Sequence, residues 1–281
     1  MSRFSVLLQD KAAGETSFRS LGRVKRDFKG SKVGHAGTLD RFATGLMLVL
    51  TGEATRLNPL FSGMDKSYRA TICFGSETDT LDPEGSVVAT APIPSEETVR
   101  SVVSSFVKRQ LQTPPIYSAI HVDGKRAYRE AIKGRNIEMP EREITVYSAS
   151  LESYDDGLAV VSFSVSKGTY IRSLARDIGL KCDSRAHLVQ LDRFELGPYT
   201  RDDIGRSTEE LLLKLSLPRM DFSSAYRKAL VNGFLDYDGI LSDSSIESGY
   251  RMLYIDDVFT GIIQKESGRY SIVALISREE I

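Results

Sequence analysis

The feature that most constrains the fold is a pair of long alternating segments joined by a tight turn. Residues 143–152 and 158–166 both alternate apolar and polar side chains, the period of a β-strand with one buried face. Asp156-Gly157 lies between them, and both residue types accept the backbone of a short hairpin turn. The chain is therefore predicted to build a sheet that contains this antiparallel hairpin.

Other segments add strands and short helices to that sheet. Strands are predicted at residues 4–8, 46–50, 67–74, 118–122 and 187–196. Helices are predicted from Ser17 to Gly30, from Ser95 onward, over 127–132, from Thr169 to Leu180, and after the capping box at 207–210. The acidic, turn-rich segment 76–85 is expected to be exposed. Because these elements show no regular βαβ rhythm, we expect an α+β fold with flanking helices around a mixed, mainly antiparallel sheet.

The composition of the chain changes near residue 222. Residues 223–281 contain three short strand-like runs separated by turns rich in Asp, Ser and Gly. We therefore predict a main domain over residues 1–222 and a small, mostly β appendage over 223–281.

Composition excludes several classes of protein. No apolar run approaches the roughly 18–20 residues needed to cross a bilayer, so a cytoplasmic protein is expected. Two cysteines and three scattered histidines cannot form a disulfide framework or a four-ligand zinc site. No glycine-rich loop has the spacing that binds nucleotide phosphates. We expect no metal and no cofactor.

The charge is distributed unevenly along the chain. The formal net charge is -1, yet residues 1–70 carry +6 and residues 101–150 carry +3. The remaining segments are acidic. A nearly neutral chain of this kind can present a basic face to nucleic acid, although ordinary solvated surface explains the same numbers.

Three residues have settings that suit chemistry. Asp40 lies in the glycine-bracketed loop SKVGHAGTLDRFATG at 31–45, between buried elements, where an Asx turn or helix cap is the alternative reading. Tyr68 lies on a strand between cations, and it is either a half-buried sheet residue or a stacking surface for a base. Arg172 follows a hairpin at a helix start; if it is buried, it needs a carboxylate partner.

These segments resemble the TruB family of pseudouridine synthases. GHAGTLDRFATG is similar to that family's GHxGTLDPxATG motif. Four further similar stretches occur in the family's order: LLQDKAAG, KSYRATICFGSETDTLDPEG, PPIYSAIHVDGKRAY, and SKGTYIRSLARDIG followed by HLVQLDR. The similarity spans about residues 5–195, whereas the last sixty or so residues resemble only loosely a reduced PUA-like RNA-binding module.

The resemblance implies roles for particular residues. Asp40 is the expected nucleophile, Arg172 its partner, and Tyr68 the residue that stacks on the target base and accepts a proton. By similarity, Leu191 is expected to line the base pocket and His35 to help capture the flipped nucleotide. Lys11 and Tyr170 correspond to pocket-supporting positions among the substrate-binding residues. Arg126 is a further candidate because its region is basic enough to contact phosphate.

The function that the resemblance implies is isomerisation of a flipped-out uridine to pseudouridine at position 55 in the T loop of tRNA, by a monomer. Three positions depart from the family's pattern, namely Ala12, Arg41 and His121. A tRNA-binding or tRNA-folding protein with little catalysis is the first alternative. A hydrolytic glycosidase is the second, but it needs two carboxylates, and no second one is evident beside Asp40.

Overall fold

A computed structural model describes residues 4–118, 121–122, 125–126, 139–226, 248–266 and 269–276. The helix predicted at 127–132 and the Asp123-Gly124 turn lie outside these described residues, as does part of the strand predicted at 118–122. Among the described residues, no helix has the length and apolar character needed to span a membrane.

The described chain is built mainly of strands. In chain order they are β1 (Ser5–Lys11), β2 (Val33–Ala36), β3 (Thr44–Thr51), β4 (Lys66–Phe74), β5 (Ser76–Thr78), β6 (Val87–Thr90), β7 (Arg109–Gln112), β8 (His121–Val122), β9 (Lys125–Arg126), β10 (Arg142–Asp155), β11 (Leu158–Val165), β12 (Ala186–Leu196), β13 (Arg219–Phe222), β14 (Gly249–Ile255), β15 (Val258–Glu266) and β16 (Arg269–Leu275). The α-helices are α1 (Ser17–Ser20), α2 (Gly22–Asp27), α3 (Asn58–Ser62), α4 (Glu96–Ser105), α5 (Ile171–Lys181) and α6 (Thr208–Leu213).

The main sheet has eight strands in the order β1-β3-β12-β4-β11-β10-β7, with β2 also paired to β3. Every pairing in it is antiparallel except that of β12 with β3. The predicted hairpin joins β10 to β11, and its turn has φ angles of 41° at Asp156 and 81° at Gly157. The prediction of a mixed, mainly antiparallel sheet with flanking helices is therefore confirmed.

Helix α5 covers one face of this sheet. Its apolar side, which includes Ile171, Leu174 and Ile178, belongs to the same buried cluster as Ile72 of β4 and Leu188 of β12. These contacts fix the first turn of α5 against the middle of the sheet, where Arg172 lies.

A second sheet follows, in the order β13-β14-β15-β16. Met252 and Ile262 of this sheet pack in one cluster with Leu48 and Leu50 of β3. Strand β13 lies before residue 223 but pairs in parallel with β14, so the sheet recruits residues from the end of the predicted main domain.

The segment after β1 differs from its prediction. Instead of one helix from Ser17 to Gly30, two short helices meet at Leu21, and the cap residue is Thr16. Phe18, expected on the buried stripe, is 70% exposed. Ser17 is buried because its Oγ donates to the carbonyl of Leu39 and accepts from the Leu39 N–H, both at 2.9 Å. This pair of bonds attaches the helix to the loop that carries Asp40.

The acidic segment 76–85 was predicted to be exposed, and this is wrong for its centre. Thr78, Leu81 and Asp82 are buried. The reason is tertiary: the Asp82 carboxylate receives a hydrogen bond from the buried guanidinium of Arg172. The loop predicted over 31–45 is also shorter, because β2 and β3 occupy both of its ends.

Replacing Ser17 with Ala should destabilise the protein by about 1–3 kcal/mol, because it leaves the buried Leu39 N–H without a partner. Urea denaturation would measure this loss. Ser105→Ala is the control, since the Ser105 hydroxyl bonds a carbonyl at an exposed helix position. Equal stability of the two variants would contradict the proposed link.

Candidate active site

Asp40 lies in a cavity of about 570 Å³ at the junction of α5, β4, β12 and the loop after β2. The residues that line it are Gly37, Thr38, Leu39, Asp40, Ser62, Lys66, Tyr68, Tyr117, Ser118, Gly168, Thr169, Tyr170, Ile171, Arg172, Leu191 and Arg193. Five of the candidates drawn from the sequence, Asp40, Tyr68, Tyr170, Arg172 and Leu191, are brought together here.

Asp40 and Arg172 form an ion pair at one wall of this cavity. Arg172 Nε lies 3.0 Å from Asp40 Oδ2, and Arg172 Nη2 donates to Oδ1 at 3.1 Å. The Arg172 side chain is only 5% exposed, whereas the Asp40 side chain keeps 34% of its surface exposed. The carboxylate is thus the accessible member of the pair, and the guanidinium is its buried support.

Arg172 also binds three groups from other segments. Its Nη1 donates to Asp82 Oδ2 at 3.1 Å and to the Thr80 carbonyl at 2.9 Å, and its Nη2 donates to the Tyr117 carbonyl at 2.9 Å. Asp82 is itself held by the Thr80 hydroxyl at 2.6 Å and by the N–H of Glu84 at 3.0 Å. One guanidinium therefore joins two carboxylates and two carbonyls.

Sequence reasoning missed Asp82 as a neighbour of Asp40. The segment was quoted as part of the family resemblance, but its turn-rich composition favoured solvent exposure. Asp82 is not among the residues that line the cavity. It is thus a second carboxylate close to Asp40 that faces Arg172 rather than the open space.

The surroundings of Asp40 act on its protonation in opposite directions. Burial raises the pKa of the Asp40 carboxyl above its ordinary value, Arg172 opposes this, and the charge of Asp82 raises the pKa further. Arg41, which departs from the family's proline, directs its Nε to the Gly14 carbonyl at 3.1 Å. Arg172 is therefore the cation that favours the ionised form of Asp40.

Lys11 stabilises the loop that carries Asp40 through hydrogen bonds to backbone carbonyls. Its ammonium group is buried and donates to the carbonyls of Ala12, Arg41 and Ala43 at 2.9, 3.3 and 2.5 Å. Burial lowers the pKa of this ammonium group. Lys11 does not line the cavity, so its contribution is to hold the backbone that directly follows Asp40.

Two strands and a helix start supply the remaining walls. Tyr68 on β4 and Leu191 on β12 are both buried and line the cavity. Tyr170 precedes α5, and its backbone is held by Gln112, which accepts from the Tyr170 N–H at 2.9 Å and donates to its carbonyl at 3.1 Å. The walls are thus an aromatic ring, a branched apolar side chain and a fixed helix start.

Two further residues, His35 and Arg126, were predicted to bind the substrate. His35 is partly buried on β2 and is not among the lining residues; burial and the nearby Arg193 lower its pKa. Arg126 pairs with His121 through the backbone of β8 and β9, but its side chain lies outside the described part of the structure, as does that of His121. His35 therefore does not form the wall of the cavity, and the role of Arg126 stays a prediction.

Other polar groups line the cavity, and of these only Lys66 was noted from the sequence, as one of the cations beside Tyr68 that could hold phosphate. Lys66 and Arg193 are buried cations that face it. The hydroxyls of Ser118 and Thr169 are buried without a hydrogen-bond partner, so both are able to bond a ligand that fills the space. Within the described ranges, no cluster of three or more His, Cys, Asp or Glu side chains could hold a metal.

Comparison with known families defines the class of this protein. The model described as TruB family pseudouridylate synthase (N terminal domain) matches residues 25–171, just over half of the chain. The fold and this match define the class as pseudouridylate synthases, which are isomerases. The chain belongs to the TruB family.

Individual relatives agree with this assignment. A protein named tRNA pseudouridine synthase B from Borreliella burgdorferi (strain ZS7) is 40% identical over 229 residues, which cover 80% of each chain. Its namesake from Bordetella avium (strain 197N) is 44% identical over 201 residues, covering 70% of this chain and 82% of its own. A crystal structure of a Cbf5-Nop10-Gar1 complex is similar in fold, with a TM-score of 0.68 at 21% identity over 99% of this chain and 86% of the other.

Asp82→Asn should lower the pKa of Asp40, because the substitution removes a nearby negative charge. Carboxyl-selective carbon NMR would follow the titration, with the Asp40 signal assigned by its loss in Asp40→Asn. Asp27→Asn is the control, because Asp27 is an exposed residue at the end of α2. An Asp40 pKa that stays constant or rises in Asp82→Asn would show that the two carboxylates are not coupled as described.

Proposed function

We propose that this protein converts uridine to pseudouridine at position 55 in the T loop of tRNA, with Asp40 as the nucleophile. One observation carries the proposal: the Asp40 carboxylate, paired with buried Arg172, opens into a cavity that Tyr68 and Leu191 line. The names of the relatives from Borreliella and Bordetella support tRNA as the substrate.

The proposed reaction breaks the bond between ribose C1′ and uracil N1 and forms a bond between C1′ and C5. A proton leaves C5 and N1 gains one, so the product has the same atoms as the substrate. Nothing is oxidised or transferred to another molecule. The chemistry therefore needs a nucleophile, a base and a closed space, all of which side chains can supply.

Each wall of the cavity suits one of these needs. The Asp40 carboxylate adds to the sugar or assists departure of the base, and Arg172 favours the charged form that both routes require. Tyr68 stacks on the uracil and accepts the C5 proton, directly or through a water molecule. Leu191 closes the other side, so that the detached base turns without escaping.

The uridine must flip out of the folded T arm to reach Asp40. A cavity of about 570 Å³ accommodates one nucleotide but not a stacked helix, so the proposal includes base flipping. Unstacking costs a few kcal/mol, and contacts between basic residues and RNA phosphates would offset it. Recognition of the T arm would then depend on its shape.

The structure bears on the hydrolytic alternative. A glycosidase needs a second carboxyl group facing the bond to be broken. Within the described part of the chain, the charges of Asp82 and Glu84 act on Asp40, but neither residue lines the cavity, and the Asp82 carboxylate is bonded to Arg172, Thr80 and Glu84. This orientation favours isomerisation over hydrolysis.

Asp40→Asn should reduce pseudouridine formation by at least about a thousandfold while tRNA binding persists, because the amide is a poor nucleophile. Single-turnover assays on a tRNA transcript would measure the rate, with the modified position mapped by chemical sequencing. Asp27→Asn provides the control, and a transcript with cytidine at position 55 tests the site. Persistent modification by Asp40→Asn would remove Asp40 from the mechanism, and release of free uracil would indicate hydrolysis.

The single-turnover rate should fall on acidification at a pH above the usual range of an aspartate. Burial raises the Asp40 pKa, so the reactive carboxylate becomes protonated earlier as the pH decreases. Asp82→Asn should move this acid limb to lower pH. A wild-type rate that is constant down to pH 4, in a protein shown to be folded there, would contradict the assignment.

A further inference from the structure

Lys66 and Arg193 form a cationic end of the cavity that the proposed chemistry does not use. Arg193 is 1% exposed and Lys66 is 8% exposed, and both line the cavity. Taking cations out of water is unfavourable unless they are paired. Among the described residues, no carboxylate forms an ion pair with either of them; the bonds that they make go to backbone carbonyls.

Those bonds fix the positions of the two cations. Arg193 Nε donates to the Leu46 carbonyl at 2.8 Å and Nη2 donates to the Gly37 carbonyl at 3.2 Å. Lys66 Nζ donates to the carbonyl of Ser62 at 2.9 Å and to that of Met64. An ammonium group has three N–H donors, so Lys66 keeps one for a ligand.

Gly37 brings the two cations to the same place. It has a φ of +84°, and a Cβ built there would lie 3.2 Å from Arg193 Nη1 and 3.9 Å from Lys66 Cε. Both side chains therefore converge on one point of the loop that leads to Asp40. A residue larger than glycine at position 37 would displace the guanidinium.

The strands order these side chains from the interior to the rim. In the register of β4 with β12, Leu191 faces Ala70, Arg193 faces Tyr68, and Lys66 lies two residues further along β4. Alternate residues of a strand share a face, so Lys66 is about 6.6 Å from Tyr68 along that face. Residues 63 and 65, beside Lys66, are exposed. Lys66 is thus the cation nearest these exposed residues, and Arg193, which is 1% exposed, lies close to it at Gly37 in the interior.

We propose that Lys66 and Arg193 bind the backbone phosphate of the nucleotide whose base enters the cavity. This inference rests on the proposed function, since it assumes that a uridine of an RNA chain is the ligand. A nucleotide with its base on Tyr68 and its sugar at Asp40 must leave its phosphate toward the rim, where the polynucleotide continues. The phosphate would supply the negative charge that the two cations lack in the protein alone.

The titration of Lys66 provides a readout specific to this site. Burial lowers the pKa of its ammonium group to about 8, and the charges of Arg193 and Lys167 act in the same direction while that of Asp65 opposes them. Lys66 is therefore charged below pH 8 and loses its charge as the pH rises through 8. Phosphate binding should weaken over that range, whereas an arginine at this position would stay charged.

The test compares tRNA binding by the full-length wild type, Lys66→Gln, Lys66→Arg and a control, Lys181→Gln, which changes an exposed lysine at the end of α5. Equilibrium Kd values are measured at several salt concentrations at pH 7 and pH 9. Lys66→Gln should raise Kd about tenfold at pH 7 and reduce the slope of log Kd against log salt by about one. Lys66→Arg and Lys181→Gln should bind like the wild type at pH 7, and Lys66→Arg should bind tighter than the wild type at pH 9.

Three outcomes would overturn the phosphate site. The first is a Lys66→Gln Kd within twofold of the wild type with an unchanged salt slope. The second is a rate loss in single turnover without loss of affinity, which would assign Lys66 to the departing uracil instead. If thermal melting shows that Lys66→Gln is unfolded, the comparison of Lys66→Arg with the wild type at pH 9 tests the site instead. Equal Kd values of these two proteins at pH 9 are the third outcome that would overturn it. Failure of the wild type to form pseudouridine would overturn the proposed function, whereas the Kd comparison decides the phosphate site separately.

Discussion

The site depends on a single buried guanidinium. Arg172 extends into the site from the first turn of α5. Its guanidinium bonds four groups on three other segments, namely Asp40, the 80–82 turn and Tyr117. A buried arginine without such partners would be strongly destabilising, so each segment is held where Arg172 needs it. The packing of α5 on the main sheet fixes the guanidinium in turn. The catalytic geometry is therefore coupled to the core through one side chain.

This coupling explains which elements could be predicted from the sequence. The β10–β11 hairpin and the capping box at Ser207 follow from local chemistry, and the structure contains both. The exposure of Phe18 and the burial of Asp82 could not be predicted. Both are set by partners far away in sequence, Leu39 holding the helix of Phe18 and Arg172 holding Asp82. Periodicity and turn composition carry no information about such partners.

The residues of the candidate site also separate into those that could be predicted from the sequence and those that could not. Family resemblance pointed to Asp40, Tyr68, Tyr170, Arg172 and Leu191, and these residues share one cavity. It gave Lys11 and Tyr170 the same supporting role, whereas Tyr170 lines the cavity and Lys11 only bonds backbone carbonyls of the neighbouring loop. Arg193 was missed, and Lys66 was noted only as a cation beside Tyr68, for another reason. A lysine or arginine on a strand is usually exposed, and only the tertiary structure shows that these two are buried.

The arrangement around Asp40 reconciles two opposing requirements. A nucleophile reacts better when it is stripped of water, but the same burial favours its neutral, unreactive acid. Full neutralisation by Arg172 would protect the charge and also hold the carboxylate too firmly to act. The Arg172 guanidinium is paired with both Asp82 and Asp40, so the cation that favours the ionised form of Asp40 is shared between two carboxylates. The cations at the far end of the cavity complement this, because an RNA phosphate bound there would draw the nucleotide in without occupying Arg172. Under the proposed function, reaction at one end of the cavity and anchoring at the other would allow the base to turn while its backbone stays fixed.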